Sequence, residues 1–332
     1  MILSDSKQFR NRPPVRLKAL RVTNSRAGRL PSFLSVEMLD PTIITLSLHA
    51  MATRFELVLY GDDPARLRAG GEQALREIEA LENQLSFYRA DSEVTWINSH
   101  AAEAPVRIDP RLFYLLSRCA EFSEKTDGAF DITVGPLIRV WGFSGKGPRV
   151  PQPSALEAAR DAVGMKNVEL CEEDFTVRFK RPGVAIDLGA FGKGYAIERA
   201  IGILQENGVT SALLHGGTSS VFALGAPPME TGWKIALGAP LSEGEEPAKI
   251  ELNNTGLSVS AAHGKWFEAD GRRYGHVLDP RTGQPARVAR AAAVTGPSPS
   301  HCEALSTALL VLGQSWFPVM RSTFPKYRGH IA

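Results

Sequence analysis

The chain has little cysteine, no excess of charge of one sign and no long apolar run, and each shortage excludes a class of protein. Its 332 residues include three cysteines, Cys119, Cys171 and Cys302, without a CxxC pair, which argues against a disulfide framework and a thiolate zinc site. The net charge of +2 gives no electrostatic reason to expect nucleic-acid binding. Apolar stretches such as 308–312 fall far short of the roughly 20 residues of a membrane helix, so we expect no transmembrane segment.

Charge is uneven in one place, the first 41 residues. Eight lysines and arginines stand there against Asp5 alone before Glu37. The segment also lacks the apolar core and cleavage site of a signal peptide, and it has no cysteine for lipid attachment. We interpret residues 1–41 as a basic extension that is predicted to be disordered, and residues 42–332 as one folded domain.

Residues 42–332 alternate between helical and strand patterns without an internal repeat. Apolar spacing and capping residues predict helices over 62–85, from Pro110 to before Gly128, over 154–163 with a Ser154/Glu157 capping box, from a glycine turn to Gly208, and over 303–312. Short apolar runs between glycines and prolines predict strands from Thr42, over 168–170, 176–179 and 184–188, and in TSALLHGG, VFALG, WKIALGAP and AKIELNN. The pattern favours an α+β fold with mainly antiparallel sheets.

A lysine stands among glycines in the segment AIDLGAFGKGYAIERA, residues 185–200. Gly189, Gly192 and Gly194 occupy a predicted strand-to-helix turn, where backbone N–H groups, a helix N-terminus and Lys193 suit an anion such as phosphate. The spacing matches neither a Walker A loop nor a Rossmann fingerprint. A tight turn with a solvated lysine therefore stays open as the alternative.

A carboxylate and a hydroxyl, Glu303 and Thr307, are four residues apart in the last predicted helix and so share one face. Oxygen ligands of this kind suit a hard cation such as Mg²⁺. The alternative is a capping box of Ser300 with Glu303, which needs no metal.

Other polar turns complete the candidate set. His276 lies three residues before Asp279 and a proline-glycine turn, where a histidine can act as a base, although a structural role stays open. Residues 216–220 offer backbone groups and hydroxyls to the polar edge of a ligand. Trp141 lies between glycines and suits stacking on a flat ring, with packing in the core as the alternative.

Seven segments, in this order, resemble the FAD:protein FMN transferase (ApbE-type) family, and they extend from about residue 45 to the C-terminus. They are MATRF at 51–55, SFYRADSEVTWIN at 86–98, TDGAFDITVGPL at 126–137, AIDLGAFGKGYAIERA at 185–200, HGGTSSVFALG at 215–225, GHVLDPRTGQP at 275–285 and EALSTALLVLG at 303–313.

The resemblance implies an ApbE-like catalytic domain that binds FAD and Mg²⁺ and transfers FMN to a Thr or Ser hydroxyl of a target flavoprotein, with release of AMP. It also implies two catalytic residues: His276, which accepts the proton of the attacking hydroxyl, and Lys193, which lies beside the pyrophosphate. The implied metal ligands are the Gly192 carbonyl, Glu303 and Thr307. The implied cofactor contacts are Met51, Trp141, Asp187, Gly189, Gly192, Lys193, Gly194, Gly216, Gly217, Ser260, His276 and Asp279.

The sequence departs from the family pattern at several of these segments. Glu303 replaces the usual Asp, and Ala52, Thr218 and Ala261 replace residues around the expected flavin pocket. Two alternatives therefore stay open: a metal-dependent FAD pyrophosphatase, in which water replaces the protein hydroxyl, and an FAD-binding carrier without turnover. Because no export signal is recognisable, we expect a cytoplasmic location, with the periplasm as the alternative that family habit suggests.

Overall fold

The computed structural model describes residues 42–145, 147–237, 248–262 and 266–331, so the predicted extension 1–41 lies outside the described residues. The α-helices are α1 Pro64–Leu85, α2 Glu93–His100, α3 Pro110–Lys125, α4 Gly135–Val140, α5 Pro153–Asp161, α6 Gly192–Glu206, α7 Pro299–Leu312 and α8 Phe317–Thr323. The strands are β1 Thr42–Ala50, β2 Thr53–Gly61, β3 Val106–Arg107, β4 Val168–Cys171, β5 Thr176–Phe179, β6 Ser211–Gly216, β7 Ser220–Leu224, β8 Trp233–Leu237, β9 Ala248–Leu252, β10 Thr255–Ala261, β11 Trp266–Ala269, β12 Arg272–Gly275, β13 Ala291–Gly296 and β14 Arg328–Ile331.

The main sheet has seven strands in the order β1-β2-β6-β7-β10-β13-β14, and every neighbouring pair is antiparallel. Smaller antiparallel sheets are formed by β3-β5-β4, β8-β9 and β11-β12. The predicted α+β fold with mainly antiparallel sheets is confirmed.

Three helices cover one face of the main sheet. α1 packs on β1 and β2, α6 on β6 and β7, and α7 on β10 and β13, while α6 contacts both other helices. Leu57 of β2, Ile78 of α1, Ile197 of α6 and Leu305 of α7 are buried in the core between these layers. This packing fixes the position of α6, which carries the glycine turn, against α7, which carries Glu303.

The opposite face of the sheet is covered by the β8-β9 hairpin. Trp233 and Ile235 of β8 pack with Leu213 of β6 and Val221 of β7 in a second core. Among the described residues, no helix combines the length and the apolar character needed to cross a bilayer.

Two helices begin earlier than predicted. α5 begins at Pro153 and has no side-chain cap, so the predicted capping box of Ser154 and Glu157 is wrong. α7 begins at Pro299, after an N-cap at Ser298, rather than at Glu303. Proline fixes a helical φ and lacks the N–H that would remain unpaired, so it occupies the first position of both helices.

The predicted strand over residues 184–188 is not a strand. The segment is buried but has no regular secondary structure, and its backbone hydrogen bonds go to a side chain and to the short helical stretch at residues 132–135. The N–H of Ile186 donates to Asn98 Oδ1 over 2.7 Å, and Asn98 Nδ2 donates back to the Ile186 carbonyl over 2.9 Å. The N–H of Asp187 donates to the Ile132 carbonyl over 2.7 Å. An amide side chain therefore takes the place of a neighbouring strand.

Candidate functional site

The starts of α6 and α7 lie against each other at Gly194. A Cβ added there would lie 2.5 Å from the Pro299 carbonyl oxygen and 2.7 Å from Ser300 Cα. Both atoms belong to the backbone and cannot rotate away, so only glycine permits this approach. Gly189, Gly192 and Gly194 all avoid the left-handed region. Close approach, and not an unusual φ, is what the structure requires of Gly194.

The approach brings the Glu303 carboxylate onto the first turn of α6. Glu303 is only 3% exposed. Its Oε2 accepts from the Gly194 N–H over 2.8 Å, and its Oε1 accepts from Ser220 Oγ over 2.6 Å. Lys193 Nζ lies 3.0 Å from the same Oε1. The alternative of a Ser300/Glu303 capping box is therefore wrong, and so is that of a solvated Lys193.

Thr307 lies one turn after Glu303 on α7 and faces a row of hydroxyls. Ser260 Oγ lies 3.3 Å from Thr307 Oγ1 and 2.8 Å from Ser306 Oγ. Ser306 Oγ in turn donates to the Glu303 carbonyl over 3.1 Å. Ser260 of β10 is thus tied to the same helix face as the carboxylate.

The oxygen atoms of this site fit a hard cation by their chemistry. The carboxylate of Glu303, the hydroxyl of Thr307 and the carbonyl of Gly192 are all oxygens, which Mg²⁺ prefers. Within the described ranges, no group of three or more His, Cys, Asp or Glu side chains is arranged for a metal. A cation at this place would therefore depend on hydroxyl and backbone oxygens beside its one carboxylate.

A second buried carboxylate, Asp187, precedes the turn. Its Oδ1 accepts from the Gly189 N–H over 2.7 Å. Burial raises the pKa of Asp187, while the Gly189 hydrogen bond and the charges of Lys193 and Arg139 oppose this rise. Desolvation and the charge of Asp187 also raise the pKa of Tyr88, although this side chain is largely exposed. Neither Tyr88 nor Arg139 was a candidate in the sequence, although Tyr88 lies within one of the seven segments.

The turn at Gly216 and Gly217 lies at the same end of the main sheet as the β1-β2 turn. Gly216 pairs with Phe55 of β2, and the N–H of Gly217 donates to the Arg54 carbonyl over 2.9 Å. Met51, in the β1-β2 turn, donates its N–H to Glu82 over 2.6 Å. Ser220, which contacts Glu303, begins the strand after the glycine turn, so the two turns lie at the same end of the sheet as the carboxylate.

His276 follows β12 in a turn that is anchored by apolar neighbours. Tyr274 and Leu278, on either side of it, are buried against α4 and α5. Asp279 is paired with Arg281 Nε over 3.0 Å. The half-buried His276 therefore lies in a loop that its buried neighbours hold in place. The carboxylate of Asp279 is already paired with Arg281 of the same loop.

Trp141 belongs to this anchor and not to an open pocket. It is 1% exposed, and its Nε1 donates to the Gly283 carbonyl over 2.8 Å. Its ring lies 5.5 Å from that of Tyr274. Because the indole is enclosed by protein, it offers no free face to a flavin, and packing in the core describes this residue.

An ion pair next to the site was absent from the sequence-based candidates. Glu198 of α6 accepts from Ser298 Oγ over 2.6 Å and from Ser300 Oγ, and it pairs with Arg118 of α3 over 3.2 Å. Burial acts to raise the pKa of Glu198, but Arg118 and the two hydroxyls outweigh it and lower the pKa. A signal was available, because Glu198 follows Gly194 by four residues and so shares its face of α6.

His301 extends this pair toward the C-terminal strand. Arg118 Nη2 lies 2.8 Å from Nε2 of His301, and the Tyr327 hydroxyl lies 2.7 Å from Nδ1. Arg118 can only donate, so Nε2 accepts and the imidazole proton is on Nδ1. Burial and the charge of Arg118 lower the pKa of His301 to about 4.

Several known proteins of similar sequence share one name. The FAD:protein FMN transferase of Treponema pallidum (strain Nichols) is 30% identical over 283 residues, which are 80% of this chain and 78% of that protein. The FAD:protein FMN transferase of Haemophilus influenzae is 31% identical over 287 residues, with 83% and 82% of the two chains covered.

Solved structures share the fold. The ApbE protein of Thermotoga maritima superposes with a TM-score of 0.80 at 30% identity, covering 87% of this chain and 94% of that one. The flavinyl transferase ApbE of Pseudomonas stutzeri gives a TM-score of 0.78 at 28% identity, covering 89% and 92%. The class defined by this fold and these relatives is a transferase enzyme. The chain belongs to the ApbE family, whose sequence model matches residues 51–326.

Proposed function

We propose that the chain transfers FMN from FAD to a Thr or Ser hydroxyl of a target flavoprotein, depends on Mg²⁺ and releases AMP. The observation that carries this proposal is the meeting of Glu303, Lys193 and the first turn of α6 at one buried place. Family membership and the shared name of the relatives support the same reaction.

Each of the chain's own groups has a role in this proposal. The glycine turn and the positive end of α6 bind the FAD pyrophosphate, and Lys193 adds a positive charge beside it. Mg²⁺, held by Gly192, Glu303 and Thr307, would supply electrostatic stabilisation of the phosphoanhydride. His276 accepts the proton of the acceptor hydroxyl as its oxygen bonds to the FMN phosphorus and the bond to the AMP oxygen breaks.

The direct test is to incubate the full chain with FAD and Mg²⁺, with and without a flavoprotein fragment that carries a candidate acceptor threonine. AMP release and the mass of the fragment are measured together. AMP and a mass gain of one FMN are the expected result. AMP released equally with water as the only acceptor would show a pyrophosphatase, and bound FAD without AMP would show a carrier.

A variant tests the assigned base. We expect His276→Ala to retain FAD but to transfer FMN roughly 10²-fold more slowly, which is a usual effect of losing a general base. FAD binding is measured by fluorescence and transfer by the mass of the fragment. His100→Ala, at a half-buried histidine in the last turn of α2, is the matched control. Loss of FAD binding with an unchanged rate per bound FAD would contradict the role.

A further inference from the structure

The carboxylate proposed as the metal ligand already has three donors. One oxygen of Glu303 is shared by the hydroxyl of Ser220 and the ammonium of Lys193, and the other accepts from the N–H of Gly194. Lys193 lies 3.0 Å from Oε1, and the carboxylate is only 4% exposed in its side chain. The ammonium therefore lies beside Oε1, at the place where the carboxylate would stabilise a cation most.

We propose that Lys193 is the internal counter-ion of Glu303, and that a divalent cation binds there by displacing its ammonium. Two cations on one buried oxygen repel each other strongly, because the surrounding protein screens charge poorly. Ser220 and Gly194 are neutral donors and do not oppose a cation in this way. This inference rests on the proposed function, since it concerns the metal of that same site.

The chain provides somewhere for the displaced ammonium to go. Lys193 has a flexible four-carbon stem, and its charge already acts on the buried carboxylate of Asp187. Both side chains lie at the turn that begins α6. Moving toward Asp187 keeps the ammonium at this turn, where the pyrophosphate is proposed to bind.

The prediction is that removing the ammonium tightens metal binding. Mn²⁺ binding to the flavin-free full chain is followed by the electron paramagnetic resonance signal of free Mn²⁺. We expect Lys193→Met, which keeps an unbranched stem, to bind Mn²⁺ about tenfold more tightly than the wild type. Lys180→Met is the matched control and should leave the affinity unchanged, because Lys180 pairs with Glu169 at the surface. Glu303→Gln should lose the site.

If Lys193 only helped to form the site, its loss would weaken Mn²⁺ binding instead of tightening it. Equal or weaker Mn²⁺ binding by Lys193→Met, in protein whose thermal unfolding shows it folded, would overturn the counter-ion role, as would lack of Mn²⁺ binding by both proteins. The proposed function is judged separately by AMP release from the wild type. Tighter Mn²⁺ binding without AMP release would leave the counter-ion role standing and remove the transferase.

Discussion

Gly194→Ala is the substitution for which the structure makes the sharpest claim. The new Cβ would lie 2.5 Å from the Pro299 oxygen, whereas such contacts stay above 3.0 Å, so the starts of α6 and α7 must separate by at least 0.5 Å. Alanine gains about 1 kcal/mol in helix propensity. Overpacking costs about 1–3 kcal/mol. Losing the hydrogen bond to the charged Glu303 costs about 1.5–3 kcal/mol. Together these contributions should lower the free energy of unfolding by about 1.5–5 kcal/mol.

The same helix contains its own control. A Cβ added at Gly202 meets nothing within 4 Å, so Gly202→Ala should keep the propensity gain and raise stability by about 0.5–1 kcal/mol. Urea unfolding of the two variants, followed by circular dichroism, measures both changes. If Gly194→Ala were as stable as Gly202→Ala, the close approach of the helices would not be what Gly194 provides.

Two further predictions concern stability. Met51 and Ala52 have φ of 50° and 56°, a region that is costly for any residue with a Cβ, so Ala52→Gly should raise the free energy of unfolding by about 0.5–1 kcal/mol; an unchanged urea midpoint would contradict this. The pKa of His301 is lowered from 6.5 to about 4. Between these two pH values the unfolded chain binds a proton that the native protein does not, so the free energy of unfolding decreases as the pH falls from 6.5 to about 4. His301→Gln should flatten this decline in unfolding experiments between pH 7 and 4, and parallel curves would refute the cause.

Sequence patterns predicted helices and strands where local chemistry decides the structure. α1 and α3 begin after Asp63 and Asp109, whose side chains cap them, and each has proline at its first position. α5 and α7 also carry such a proline, and both were predicted to begin too late because a serine after the proline was taken for the cap. Giving Pro153 and Pro299 the first helical position would have located both starts.

These local sequence patterns could not predict contacts between segments that are distant in the chain. The run before the glycine turn is apolar enough for a strand, yet its backbone hydrogen bonds are with Asn98, Ile132 and Gly135, which no local spacing connects to it. Glu303 looked like half of a capping box, and only the packing of α6 on α7 turns it toward Gly194 and Lys193. Trp141 packs in the core instead of offering a face to a flat ring. Its burial depends on the β11-β12 hairpin that packs on it, which local spacing could not predict.

The bonds at the Glu303 carboxylate join parts of the chain that are far apart in sequence. The hydrogen bonds that it accepts from Ser220 and Gly194 span 83 and 109 residues, and those that Glu198 accepts from Ser298 and Ser300 span 100 and 102. No fragment of the chain can form this carboxylate environment before α6, β7 and α7 have docked. A ligand that binds there binds only the complete fold, so its free energy of binding adds to global stability. Occupancy of the site thus reports on folding of the whole domain.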